Sequence, residues 1–133
     1  MTECSGSVKV IDLSLWYSAK SGTIYSPDYP HKYGKNMDCK WRIIAPYGQK
    51  VLIYFTFVQL EYISDCVFDS VQIFDGSSDS YFNKLLMKAC GDRLPLPVYS
   101  SDQYIYMRFK SDGSNQGEGF TAHYKALNDS SGG

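Results

Sequence analysis

The stretch KVLIYFTFVQL, residues 50–60, indicates the fold class of this chain. Its β-branched and aromatic residues favour a strand, in which successive side chains point to opposite faces. The pattern predicts Val51, Ile53, Phe55 and Phe57 on one face and Leu52, Tyr54, Val58 and Leu60 on the other. Because both faces are apolar, the strand is expected to lie in the centre of a packed sheet.

Shorter strand-like runs occur on both sides of this stretch, at residues 40–45, 67–74, 85–89, 103–110 and 120–125. Turn sequences such as Pro46-Tyr47-Gly48 and Asp75-Gly76 separate them. No run of ten or more residues keeps a helical apolar period without a helix-breaking residue. Many short strands with regular turns predict one all-β domain, built as an antiparallel sandwich or barrel.

Length and charge limit the possible functions. The 133 residues suit a single domain, and the formal net charge of -1 gives no electrostatic basis for binding nucleic acid. No apolar run reaches 18 residues, so the sequence predicts no membrane insertion by this domain. Residues 128–133 are expected to be a disordered tail or one added by cloning.

The cysteines predict two disulfides and an oxidising, extracellular location. Cys4, Cys39, Cys66 and Cys90 are even in number and lack the close pairs of a zinc site. Their spacing alone leaves three connectivities open. The sequon that begins at Asn128 is a candidate glycosylation site, which agrees with secretion.

Motifs of enzyme active sites are not found in this sequence. It contains no HExxH, no GxSxG, no phosphate-binding lysine loop and no GxGxxG after a strand. The two histidines, His31 and His123, fall in a turn and on the outward face of a predicted strand. We therefore expect no catalytic residues and predict that the domain is not an enzyme.

Three acidic residues that could bind a metal lie at or near the ends of predicted strands. Glu61 follows the long strand, Asp69 lies at the start of the next one, and Asp112 lies in the glycine-rich stretch KSDGSNQGEGF. Three carboxylates that met at one end of a sandwich would repel one another and require protonation or a cation. Calcium suits such a set of oxygen ligands, although acidic loops are also common on the surfaces of β proteins.

Several stretches, in the same order along the chain, resemble the CUB domain, an extracellular all-β module. They are SGTIYSPDYPHKY (residues 21–33), CKWRI (39–43), DCVFDSVQIFDG (65–76), ACG (89–91) and FKSDGSNQGEGFTAHY (109–124). The resemblance implies a jelly-roll sandwich of two antiparallel sheets with the disulfides Cys4–Cys39 and Cys66–Cys90. It also implies a single domain over residues 4–127, with residues 1–20 as an N-terminal segment that contains the first cysteine and an insertion.

The resemblance implies one Ca²⁺ site as well. Its ligands would be Glu61, Asp69 and Asp112, with Ser114 and Asn115 supplying further oxygens. The chain departs from the family pattern in two places. Phe68 stands where calcium-binding members often have Tyr, and residues 7–20 are longer than the usual spacer. Trp16 and Tyr17 in that spacer are candidates, with Phe68, for contacting a partner, although aromatic residues in an insertion more often pack on a sheet edge.

CUB domains are interaction modules of secreted proteins and receptors. The resemblance therefore implies an extracellular protein–protein interaction domain, whose calcium site orders loops that receive a Lys or Arg of the partner. One alternative is a module that binds glycans or sulfated polysaccharides through Tyr104, Tyr106, Arg108 and Lys110. Another is a structural accessory domain of a secreted protease or of a channel or receptor co-subunit.

Overall fold

The computed structural model describes residues 7–61, 66, 69–80, 82–113 and 117–128. They form nine strands in two layers: β1 (Val8–Asp12), β2 (Ser21–Tyr25), β3 (Asp38–Ile44), β4 (Gln49–Gln59), β5 (Ser70–Asp75), β6 (Lys84–Ala89), β7 (Val98–Tyr99), β8 (Tyr104–Lys110) and β9 (Gly119–Asn128). One sheet has the order β1-β3-β8-β5-β6, and the other has the order β2-β9-β4-β7. The predicted all-β sandwich is confirmed.

The core lies between the two sheets. Its inward side chains alternate along β4, β5, β8 and β9, as the period of two requires. Those at most 1% exposed include Val51, Ile53, Val71, Ile73, Ile105, Met107, Phe109 and Phe120. Burial of each such side chain contributes about 1.5–3 kcal/mol to the stability of the fold. The core therefore holds the strands, and with them the strand ends, in fixed positions.

A β-bulge in β4 makes one part of the predicted facing wrong. The pairing with β9 shifts register between Phe55 and Phe57, which inserts one extra residue into β4. Phe57 consequently turns outward and packs against Tyr29, with 6.0 Å between ring centroids. Val58 and Leu60 turn inward and are 4% and 2% exposed. The strand is interior in its sheet, as predicted, but only its inner face is fully buried.

The N-terminal segment contains a strand that the sequence patterns did not predict. β1 pairs with β3 in parallel, unlike the antiparallel pairs elsewhere in the described sheets. The chain leaves β1 for the other sheet, forms β2 there, and returns as β3. Such a crossover lets two strands of one sheet run in the same direction.

The predicted glycan surface on the outer face of β8 is not an open groove. It comprised Tyr104, Tyr106, Arg108 and Lys110. Tyr106 is only 3% exposed, although it faces outward. Arg108 forms a bidentate ion pair with Asp38, at 2.9 and 2.8 Å, and a third bond of 2.9 Å to Asp79. The guanidinium is therefore engaged within the domain, which argues against this part of the alternative.

Candidate metal centre

Three strands end or begin at the same pole of the sandwich, and each brings one carboxylate. Glu61 lies two residues after β4, Asp69 directly precedes β5, and Asp112 lies two residues after β8. One oxygen from each carboxylate lies within 4.8 Å of the others. The structure therefore brings together the three acidic residues that the sequence singled out.

Strand register explains the meeting of Asp69 and Asp112. β5 and β8 are antiparallel neighbours in which Ser70 pairs with Lys110. The residue before one strand thus lies beside the residues that follow the other. The main-chain N–H of Asp112 donates a 2.8 Å hydrogen bond to Oδ1 of Asp69, which fixes the carboxylate beside the loop.

The buried hydroxyl of Tyr33 connects the other two members of the cluster. It donates a 2.5 Å hydrogen bond to Oδ2 of Asp69 and accepts a 3.2 Å hydrogen bond from the main-chain N–H of Glu61. Tyr33 is 2% exposed, and its ring packs edge-on against Phe109 at 4.9 Å between centroids. Both oxygens of Asp69 are therefore oriented by hydrogen bonds, while each carboxylate oxygen keeps a second lone pair that can bind a cation.

The segment between β2 and β3 supports the loop that carries Asp112. Asn36 donates its main-chain N–H to the carbonyl of Asp112 at 2.8 Å. The hydroxyl of Ser111 donates to the carbonyl of Gly34 at 2.8 Å and accepts from the N–H of Met37 at 2.9 Å. The backbone on the N-terminal side of this loop is therefore fixed before any ion binds.

The other side of the loop packs closely against the end of β4 at Gly117. A Cβ at this position would lie 2.3 Å from the carbonyl oxygen of Gln59 and 2.9 Å from the Cα of Leu60. Because these are main-chain atoms, only glycine fits without a backbone shift. Gln59 also accepts, through Oε1, a 2.5 Å hydrogen bond from the N–H of Glu118.

A disulfide joins the segment between Glu61 and Asp69 to the residue that directly follows β6. Cys66 and Cys90 are bonded, with 5.5 Å between their Cα atoms. Leu60 donates its N–H to the carbonyl of Gly91 at 2.8 Å, next to that disulfide. The predicted Cys66–Cys90 pairing is confirmed. Cys39 is also disulfide-bonded, whereas its predicted partner Cys4 lies outside the described residues.

The electrostatics of the cluster disfavour three bare anions. Asp69 is fully buried, and burial raises the pKa of its carboxyl above the ordinary value, with the charge of Asp112 adding to the rise. Burial and the bond to Asp69 also raise the pKa of the Tyr33 hydroxyl, so it remains a protonated donor. At 4.8 Å and an effective dielectric near 20, each pair of ionised carboxylates repels by about 3.5 kcal/mol.

The donor set is made entirely of oxygen, which is the chemistry of a hard cation. Calcium accepts flexible oxygen coordination from carboxylates and carbonyls, whereas zinc and the softer metals prefer nitrogen or sulfur. A divalent ion between the three side chains would offset their mutual repulsion. The residues present therefore fit calcium.

Other predicted site residues have different outcomes. Ser114, Asn115 and Phe68 lie outside the described residues. Asn128 is exposed at the end of β9, while the rest of its sequon is not described. Tyr33 was not assigned a role from the sequence, although it closes the quoted motif SGTIYSPDYPHKY. Its place in that motif was the available signal.

The candidate partner residues Trp16 and Tyr17 do not pack on the sheet edge. They are 91% and 69% exposed and contact each other edge-on, with 5.7 Å between ring centroids. Their loop is fixed by the ammonium of Lys20, which donates to the carbonyls of Leu13 and Leu15 at 2.7 and 2.9 Å. The aromatic pair is thus presented to solvent on an ordered loop.

Comparisons with known proteins agree on one family. A family model described as "CUB domain" matches residues 14–124. The "Dorsal-ventral patterning protein tolloid" of Drosophila melanogaster is 38% identical over 120 residues, which cover 90% of this chain and 10% of that protein. The chain spans about a tenth of the length of the first curated relatives, which include tolloid-like protein 1 of Homo sapiens and tolloid-like protein 2 of Mus musculus.

Solved structures give the same result. The crystal structure of the MASP-1 CUB2 domain bound to Ca²⁺ has a TM-score of 0.72 and 29% identity, covering 92% of this chain and 99% of that one. The full extracellular region of zebrafish Gpr126/Adgrg6 has a TM-score of 0.76 and 31% identity, covering 95% of this chain and 15% of that one.

These matches agree with the disulfide between Cys66 and Cys90. Among the described residues, no helix is long and apolar enough to cross a membrane. The CUB domain is a non-catalytic module of extracellular proteins that mediates protein–protein interactions. The chain belongs to the CUB domain family.

Proposed function

We propose that this extracellular domain is a calcium-dependent protein-recognition module. Glu61, Asp69 and Asp112 would bind one Ca²⁺, with Ser114 and Asn115 of the adjoining loop as further oxygen ligands. The ion would order the loops at this pole, and their acidic side chains would receive a Lys or Arg of the partner. The single observation that carries the proposal is the convergence of three carboxylates within 4.8 Å around a buried aspartate.

The electrostatic argument favours a cation over protonation at neutral pH. Glu61 and Asp112 are partly buried, but Oε1 of Glu61 is shielded from solvent, so a cation can supply stabilisation that water does not reach. Asp69 is held by two hydrogen-bond donors, and hydrogen bonds to a carboxylate favour its ionised form. The MASP-1 CUB2 domain, which has a similar fold and length, is bound to Ca²⁺ in its crystal structure, and this supports the same choice.

Partner recognition follows from the capacity of a carboxylate to make two kinds of contact. An oxygen that binds calcium on one side can accept a charge-assisted hydrogen bond on the other. Extracellular modules bind calcium with dissociation constants of about 10⁻⁴–10⁻³ M. At ten times that concentration, the ion stabilises the bound state by about 1.4 kcal/mol, which suffices to order a loop.

Calcium calorimetry on the isolated domain tests the metal site directly. Wild-type protein is expected to bind one Ca²⁺ in the millimolar or submillimolar range, and Asp112→Asn to lose the signal. Glu118→Gln is the matched control, because Glu118 is an exposed acidic residue near the same loop that lies outside the cluster. Equal calcium binding by wild type and Asp112→Asn would contradict the proposal.

A further inference from the structure

The outer face of the four-stranded sheet differs from that of the five-stranded sheet, where an ion-pair network covers part of β8. The outer face of the four-stranded sheet carries one exposed tyrosine on each of β2, β4 and β7. Tyr25, Tyr54 and Tyr99 are 54%, 38% and 58% exposed. Tyrosine is among the side chains most enriched at the energetic centres of protein interfaces. The face therefore has the aromatic content of a docking surface.

The middle row of this face is rigid. Thr23 on β2, His123 on β9 and Tyr54 on β4 lie side by side in the register of the sheet. The ring of His123 stacks on Tyr54, with 5.0 Å between centroids and 21° between planes. Its Nδ1 lies 3.1 Å from the hydroxyl of Thr23 and its Nε2 lies 2.9 Å from the hydroxyl of Thr56. Side chains fixed in this way lose little conformational entropy when a partner binds.

The charge of this sheet is of one sign. None of the residues in β2, β4, β7 and β9 is Asp or Glu, although the whole chain contains 14. Two are Lys: Lys50 lies on the outer face with its Nζ 5.9 Å from the ring centroid of Tyr99, and Lys125 is exposed and pairs with Leu52. The four strands thus contribute two positive and no negative side chains, in a protein whose net charge is -1.

We propose that the outer face of the four-stranded sheet binds a protein segment that presents carboxylates. This binding does not depend on calcium. Opposite charge selects such a partner. A second copy of this chain would instead bring a face with two lysines and no carboxylate in its strands against an identical face, because an isologous contact uses the same patch on both copies.

The same features favour a protein over an acidic glycan. Tyr54 and His123 stack on each other, so one ring face of each is already covered. Two lysines are also few for a sulfated polysaccharide without aromatic groups, whose binders carry a larger basic cluster. Exposed aromatic rings beside two lysines instead suit an acidic segment that contains apolar or aromatic side chains.

The test uses a random copolymer of glutamate and tyrosine as the probe and ¹⁵N-labelled domain for nuclear magnetic resonance. The copolymer is expected to shift the amide signals of β2, β4 and β9, with the largest changes at Thr23, Tyr54 and His123. The affinity should be the same in calcium and in chelator, which separates this surface from the metal centre. Shifts confined to the five-stranded sheet or the metal pole, or no shifts at millimolar probe, would overturn the proposal.

Charge-reversal variants give a matched comparison. Lys50→Glu with Lys125→Glu should weaken copolymer binding about tenfold or more. Lys9→Glu with Lys84→Glu changes the net charge by the same amount on exposed lysines of the other sheet and should leave binding unchanged. Tyr99→Ala, at an exposed site, should weaken binding without altering charge. Equal binding by the two double variants would refute the proposal.

Heparin distinguishes the glycan alternative. It is a polyanion without aromatic side chains, and it is expected to shift the same amides only weakly at an equal concentration of negative charge. If heparin shifted them as strongly as the copolymer and displaced it, the face would be a polyanion site and the protein-docking proposal would be wrong.

Discussion

Tyr33→Phe removes one oxygen atom from the candidate metal centre. That hydroxyl donates to Asp69 and accepts from the main chain of Glu61. A hydrogen bond to a charged group contributes about 1.5–3 kcal/mol, and loss of the acceptor for the Glu61 N–H adds a smaller cost. We expect the variant to lower the free energy of unfolding without calcium by about 2–3 kcal/mol. For a domain of this size, the Tm should fall by about 6–10 °C.

The same change should weaken calcium binding by about 10–100-fold, which is the usual effect of removing a group that orients a ligand. Calorimetry in chelator and titration with calcium measure the two effects separately. Tyr25→Phe is the matched control, because it removes the same atom from a side chain that is 54% exposed. If Tyr33→Phe unfolded and bound calcium like the control, the proposed orientation of Asp69 would be refuted.

Three further predictions concern the scaffold. Gly117→Ala places a Cβ 2.3 Å from a main-chain oxygen at the end of β4, so chemical denaturation should show a loss of about 1–3 kcal/mol together with weaker calcium binding; wild-type values would contradict the close packing. Cys66→Ala with Cys90→Ala opens a loop with a sequence separation of 24 and should cost about 3.5 kcal/mol, measured by denaturant titration against wild type. Hydrogen bonds from Arg108 lower the pKa of Asp38, so Asp38→Asn should be less stable than wild type at pH 7. That difference should vanish as the pH falls through the lowered pKa, below the value of about 3.9 in the unfolded chain; a difference that persisted in acid would show that the ion pair is not its cause.

The fold was largely predictable because its strongest signals are local. Period-two patterns located β3, β4, β8 and β9, since their inward side chains are almost all apolar. β1 was missed because it is an edge strand with Lys9 and Val10 exposed, so it has no clear alternation. The facing of Phe57 was wrong because a bulge depends on how β4 pairs with β9, which a single strand does not reveal.

The candidate site was predicted in part for the same reason. Glu61, Asp69 and Asp112 each lie at a strand end, but only the resemblance to a family indicated that the three ends meet at one pole. The contribution of Tyr33 could not be inferred from spacing, because its hydroxyl reaches Asp69 from a segment 36 residues away in sequence. Side-chain packing around Phe109 decides that contact.

The central claim is that three carboxylates distant in sequence bind one divalent ion. A crystal structure determined from crystals grown in saturating calcium tests this claim most directly. We predict an anomalous density peak about 2.3–2.6 Å from oxygens of Glu61, Asp69 and Asp112. A water molecule at that position, or carboxylates that point away from one another, would contradict the claim.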